Sequence, residues 1–132
     1  MLKNLAWVFA VVFVVVGVLG FVPGITTDGH FLGIFEVDTL HNLIHLVSGI
    51  VAAAVALSSA KNQKLYFQIF GVVYAAVAVV GLVQGDTVLG LIATNMADHI
   101  LHVVLALVLL YAGFVWKDKG MVGSTPAPMK TM

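Results

Sequence analysis

Cysteine and arginine are absent from this sequence, and charged residues are scarce. Without cysteine there is no disulfide, no zinc–thiolate site and no thiol nucleophile. Without arginine, and with a formal net charge of zero, the chain lacks the basic surface that binds nucleic acid. Only 9% of the residues are charged, which is too few to cover the surface of a soluble domain. These absences exclude nucleic-acid binding and a water-soluble globular enzyme.

Apolar residues make up 61% of the 132 residues, and the mean hydropathy is +1.11. They form four runs, each long enough to cross a hydrocarbon core of about 30 Å, which takes about 20 helical residues. The runs cover about residues 5–22, 40–57, 65–83 and 95–116. We therefore predict an all-α fold, an integral membrane four-helix bundle in which residues 1–116 form one four-span domain in a lipid bilayer. The polar segment 117–132 is predicted to be a disordered cytoplasmic tail.

The lysines give the predicted bundle an orientation. All six fall on one side of a four-span topology: Lys3, Lys61, Lys64, Lys117, Lys119 and Lys130. The two links on the opposite side carry acidic residues and no lysine. By the positive-inside rule, we predict a multi-pass protein of the cytoplasmic (inner) membrane with both termini in the cytoplasm.

The second half of the chain repeats a pattern found in the first half. The shared elements are an apolar Leu-Gly step, a helix-capping residue and a polar first turn. The aligned pairs are Gly20 with Gly81, 32–35 with 89–92, Asp38 with Asn95, His41 with Asp98, Asn42 with His99, and His45 with His102. Each unit begins and ends on the lysine side. We therefore predict two parallel two-helix repeats, about residues 5–57 and 65–116, related by a pseudo-two-fold axis.

Histidines lie in the first turns of the second and fourth predicted helices. His41 and His45 are four residues apart, as are Asp98 and His102, so each pair shares one helix face. His45 lies about 10 Å along the helix from its predicted cap, Asp38, at 1.5 Å per residue. Unpaired polar groups at that depth cost several kcal/mol. We therefore expect these side chains to face the bundle axis and to have partners.

Three functions fit this cluster. In the first, the histidines hydrogen bond to each other, to Asn42, to Asp98 or to a water, and so fix the helix pairing. In the second, His45 and His102 bind a cofactor, either haem b as its axial ligands or a divalent metal. The candidate metal ligands are His41, His45, Asp98, His99 and His102. In the third, the cluster relays protons or ions, but the other halves of the helices lack ionisable residues for a path across the membrane.

Polar residues near helix ends commonly fix helix packing, so the first hypothesis is a non-enzymatic integral membrane protein without a cofactor. Such a protein fits an accessory subunit of a membrane complex, with other membrane subunits or a second copy of itself as partners. No nucleophile or acid–base pair in the sequence indicates catalysis. Replacing His45 and His102 with glutamine separates this hypothesis from cofactor binding, because only a bound ligand is lost stoichiometrically.

Four segments carry a resemblance to a known family: GFVPG at 20–24, LGIFEVD at 32–38, HNLIHLVSG at 41–49 and LGLI…NMADHILH at 89–102. With them, the sequence resembles the bacterial four-span membrane proteins grouped as domain-of-unknown-function family 4383, over nearly the whole chain from Leu5 to Val115. The family pattern typically has Asp-Asn-x-x-His in the second half, and here His99 replaces the asparagine. The resemblance implies a four-helix fold and a membrane location, and it implies no activity.

Overall fold

The computed structural model describes residues 1–117 of the chain. It contains four long helices, α1 (Leu2–Leu19), α2 (Thr39–Ala56), α3 (Ala60–Gln84) and α4 (Met96–Leu110), the last continued by a π-helical segment, Tyr111–Val115. Each is long and apolar enough to cross a membrane, with α4 and the π-helical segment counted as one span of 20 residues. The predicted all-α four-span bundle is confirmed, and the chain is a multi-pass membrane protein. Most of the predicted tail, residues 118–132, lies outside the described residues.

The two ends of the bundle differ in their polar residues. We call one the lysine end, formed by Met1, the 57–59 link and Trp116, and the other the histidine end, formed by the links 20–38 and 85–95. Between these ends the outward helix faces are apolar, and Val83, for example, is 81% exposed. Lipid hydrocarbon is the environment that such faces fit.

Glycines bring the helices together in two pairs, α1 with α2 and α3 with α4. A Cβ added at Gly49 would meet the backbone nitrogen of Val14 at 2.8 Å, so no larger residue fits between α1 and α2 there. In the other pair, a Cβ at Gly71 would meet the backbone nitrogen of Leu110 at 3.0 Å. Close approach through small residues is the usual basis of helix association in lipid, where the hydrophobic effect does not drive helices together.

Aromatic rings join the two helix pairs. Phe9 packs edge-on against Phe67 with ring centroids 5.9 Å apart, and Phe13 stacks on Tyr74 at 5.7 Å. All four side chains are buried, and Phe67 is completely inaccessible. These contacts connect α1 to α3 across the centre of the bundle, just beneath the polar residues of the histidine end.

Side-chain caps begin α2 and α4 at the predicted residues. The carboxylate of Asp38 accepts from the backbone N–H of His41 at 2.7 Å. Asn95 accepts from the N–H of Asp98, whose carboxylate accepts in return from the N–H of Asn95. This reciprocal arrangement is a capping box.

Two helices differ from their predicted bounds. The predicted start of α3 near residue 65 is wrong, because the Ser59 hydroxyl accepts from the N–H of Asn62 and begins the helix at Ala60. The first turn of α3 is polar, so the pattern of apolar residues does not indicate that the helix begins there. Helix α1 is displaced from the predicted 5–22 to Leu2–Leu19, since Gly20 ends it three residues before Pro23.

The links at the histidine end fold into small β-structures that the sequence did not predict. The strands are β1 (Thr26–Thr27), β2 (His30–Phe31) and β3 (Phe35–Glu36) in one antiparallel sheet, and β4 (Thr87–Val88) and β5 (Ile92–Ala93) in another. The apolar Leu-Gly steps form tight turns: φ is 54° and 71° at Leu32 and Gly33, and 56° and 67° at Leu89 and Gly90. Positive φ at both central residues is typical of a hairpin turn.

Gln63 of α3 caps the C-terminal end of α2. Its Nε2 donates to the carbonyl oxygens of Ala56 at 3.3 Å and Ser58 at 3.2 Å, and the residue is buried. Gln63→Leu keeps the volume but leaves two carbonyls without this donor, so we expect the free energy of unfolding to fall by about 1–2 kcal/mol. Titration with SDS in mixed micelles measures the change. An equal loss in Asn62→Leu, which replaces the neighbouring exposed side chain, would contradict this explanation.

Candidate metal centre

Three buried histidines meet at the histidine end of the bundle. His41, His45 and His102 each offer a ring nitrogen within 4.8 Å of the others. They are 3%, 8% and 4% exposed, and their rings are in contact, with centroids 4.7 Å apart for His41 and His45 and 5.9 Å for His41 and His102. We call these residues the histidine triad. It joins α2 to α4, which belong to different helix pairs.

A backbone carbonyl sets the orientation of His41. Its Nδ1 lies 3.0 Å from the carbonyl oxygen of Ala93, at the end of β5. Because a carbonyl can only accept, Nδ1 is the donor, and the neutral ring keeps its lone pair on Nε2. A hydrogen bond of this kind from the second ring nitrogen is the usual support of a histidine that binds a metal.

The rings of His45 and His102 are packed but not hydrogen bonded. His45 stacks on Phe13 and His102 packs edge-on against Tyr74, each with centroids 5.7 Å apart. Within the described residues, the Nδ1 atom of each histidine is buried without a hydrogen-bond partner. The predicted hydrogen bonds between these histidines, or from them to Asn42 or to the carboxylate on α4, do not form. The triad therefore brings its ring nitrogens together, while the Nδ1 atoms of His45 and His102 have no partner in the described residues.

Two other predicted ligands lie outside the triad. Asp98 directs its Oδ2 toward the backbone N–H groups of Asn95 at 2.9 Å and Glu36 at 3.1 Å. His99 donates from Nε2 to the carbonyl oxygen of Gly85 at 2.6 Å. Of the five candidate ligands from the sequence, three lie together in the triad. The other two, Asp98 and His99, hydrogen bond to backbone groups instead.

Each half of the chain caps a strand of the other half. The second carboxylate oxygen of Asp38 accepts from the N–H of Ala93 in β5 at 2.7 Å. Conversely, Asp98 accepts from the N–H of Glu36 in β3, and the Asn95 amide donates to the carbonyl oxygen of Ile34 at 2.8 Å. We call these contacts the crossed caps. Through them β5, which orients His41, is held against the start of α2.

Two cavities flank the histidines. The larger, of about 170 Å³, is lined by all three residues of the triad, whereas the smaller, of about 90 Å³, is lined by His45, His102 and Asp98. His41 thus lines only the larger cavity, and Asp98 lines only the smaller one. These are the two residues that align in the sequence repeat.

The residues contributed by the strands account for the different cavity sizes. Val88 and Ile92 line the larger cavity, and Phe31 and Phe35 line the smaller one. In the sequence repeat, Val88 aligns with Phe31 and Ile92 with Phe35. The smaller side chains of Val88 and Ile92 therefore leave open space in the larger cavity. The phenyl rings of Phe31 and Phe35 fill the equivalent space in the smaller cavity.

Comparison with known proteins identifies the family of this chain but no activity. A family model described as domain of unknown function, DUF4383, matches residues 3–115. No curated protein matches the sequence, and no solved structure does so either. The chemistry of the site has to be inferred from its own residues.

Proposed function

Because this chain belongs to the DUF4383 family, whose function is unknown, we propose from its own residues that it is a membrane-embedded metal-binding protein. The ion is a divalent transition metal, held by His41, His45 and His102 at the histidine end. The proposal rests on the convergence of three buried imidazoles, whose ring nitrogens lie within 4.8 Å of one another. The Nδ1 atoms of His45 and His102 have no hydrogen-bond partner in the described residues.

The donor set suits zinc, copper or nickel. Imidazole nitrogen is a good ligand for these ions, and a chain without cysteine has no softer alternative. Ligands at 2.0–2.1 Å from a tetrahedral zinc ion are about 3.3 Å apart, so small rotations of the three rings complete the site. The larger cavity then adjoins the fourth coordination position. It has about the volume that accommodates one benzene molecule, which favours a single ion over haem.

The proposed role is binding without catalysis. Lys3, Lys61, Lys64 and Lys117 at the lysine end support the cytoplasmic placement of both termini under the positive-inside rule. The metal site then lies at the outer face of the cytoplasmic membrane. An accessory subunit that holds an ion for another membrane protein, or for a second copy of this chain, fits that position.

The competing proposal is that the triad only organises the bundle. It predicts a protein that loses stability when the histidines change but carries no ion at any stage. The two proposals therefore differ in metal content, which is measured directly.

The test is metal analysis of the full chain purified from its native membrane in mild detergent. We expect about one zinc, copper or nickel ion per chain, and a content near zero in His45→Gln/His102→Gln. His30→Gln is the matched control, because His30 lies in β2 outside the triad and should keep its ion. A folded wild-type protein that stays metal-free after incubation with each ion would overturn the proposal in favour of the competing one.

A further inference from the structure

The larger cavity has the size and the lining of a site for a small ring. Its volume of about 170 Å³ compares with the roughly 150 Å³ of an apolar cavity that binds benzene. Ile44, Val73, Val77, Val88 and Ile92 give it apolar walls. Its lining contains no lysine, aspartate or glutamate.

The cavity adjoins a groove between α2 and α3. A neighbouring pocket of about 220 Å³ extends toward the lysine end, and Phe70 lines both spaces. We call the second space the α2–α3 groove. Its walls include Leu65 and Ile69, which are 48% and 51% exposed on the apolar face of the bundle. The groove therefore opens toward lipid hydrocarbon, and an apolar chain can lie in it while a ring occupies the cavity.

Polar atoms without partners face this ring site. The hydroxyl group of Tyr74 is buried near the Ser48 side chain without a hydrogen bond of good geometry in the described residues. The Nδ1 atoms of His45 and His102 are buried there without a partner among the same residues. All three residues line the larger cavity. A phenol donates to a carbonyl oxygen, and a neutral imidazole donates or accepts, so the site matches a ring that carries carbonyl or hydroxyl oxygens.

We infer that the larger cavity and the α2–α3 groove together bind a lipid-soluble quinone, with its ring beside Tyr74 and the triad and its apolar tail in the groove. A phospholipid fits less well, because its glycerol and phosphate headgroup is larger than a cavity of about 170 Å³. The inference goes beyond the metal site and does not require it, since the cavity, the groove and the Tyr74 hydroxyl group are present with or without an ion.

The sequence itself suggests the substitution that tests this site. Phe31, which aligns with Val88 in the sequence repeat, lines the smaller cavity. Val88→Phe therefore puts a phenyl ring into the larger cavity at the equivalent position. Ser48→Leu narrows the same cavity from α2 and serves as a second variant. Val83→Phe is the matched control, because it makes the same exchange at a lipid-facing position that lines neither space. Helical circular dichroism of each variant shows whether the bundle is intact, so that loss of quinone binding is distinguished from loss of the fold.

Calorimetric titration of the full chain in detergent, with 2-decyl-1,4-benzoquinone as the probe and 1-decanol as a tail without a ring, measures the binding. We expect saturable binding of the decylbenzoquinone, at least about tenfold weaker in Val88→Phe and Ser48→Leu and unchanged in Val83→Phe. We expect 1-decanol to bind at least about tenfold more weakly than the decylbenzoquinone. Equal affinities for the two probes, or equal decylbenzoquinone affinities in wild type and both cavity variants, would overturn the inference.

Discussion

Asp38→Ala is expected to weaken metal binding by about 10–100-fold, although Asp38 is not a proposed ligand. Its two carboxylate oxygens accept from the N–H of His41 and from the N–H of Ala93. The carbonyl of Ala93 in turn accepts from the His41 ring. Without the carboxylate, the His41 ring is the remaining hydrogen-bonded link between α2 and β5, and its orientation is less firmly fixed. The ion then has two well-placed ligands instead of three.

The same substitution should lower the free energy of unfolding by about 3 kcal/mol. A helix cap is worth about 1 kcal/mol, and a backbone donor left unpaired costs about 1–3 kcal/mol. Competition with a chelator measures the zinc affinity, and SDS titration measures the stability. Asp86→Ala is the control, because this exposed carboxylate lies in the same part of the bundle and accepts no hydrogen bond within residues 1–117. Wild-type zinc affinity in Asp38→Ala would show that the crossed caps do not position the triad.

Gly113→Ala is expected to destabilise the protein by about 3 kcal/mol, a large effect for one methyl group. The three atoms nearest to an added Cβ are all backbone atoms of α3: the nitrogen of Gln68 at 2.6 Å, its Cα at 2.9 Å and the carbonyl carbon of Phe67 at 2.9 Å. A side chain can rotate out of the way, but a helix backbone cannot. The α3–α4 pair must therefore separate along the π-helical segment, and the Gln68 amide loses its hydrogen bond to the carbonyl of Gly113.

SDS titration and the retention of helical circular dichroism on heating both measure this loss. Val83→Ala provides the reference, because Val83 is 81% exposed to the surroundings of the bundle and its truncation should change stability little. If Gly113→Ala matched this reference, the close contact between the π-helical segment and α3 would not contribute to stability.

The four spans and two of the helix caps were predictable because their signals are local. Apolar length fixes the number of spans, and Asp38 and Asn95 each precede an apolar run at the spacing of a cap. The β-hairpins were not predictable in this way. Their turns are Leu-Gly steps, which lack the asparagine or aspartate that usually marks such a turn and read as apolar sequence.

The site was predictable only as a set of candidates. The i, i+4 spacing identified His41 with His45 and Asp98 with His102, but spacing does not say which partner each side chain finds. Asp98 bonds to a backbone N–H 62 residues away, and that contact depends on how the two links fold. A local pattern therefore narrows the chemistry, and the tertiary contacts select the three residues that meet.

The crossed caps also have a consequence for the order of biogenesis. Asp38 is synthesised with the first half of the chain, but the N–H that it accepts from is 55 residues further on. At about 5–20 residues per second, the first helical hairpin waits in the membrane for several seconds before its partner is made. The histidine end is thus completed only after the last helix has been inserted. If the protein binds a metal as proposed, ion loading comes after insertion, because a chain stalled halfway lacks His102 and has no complete site.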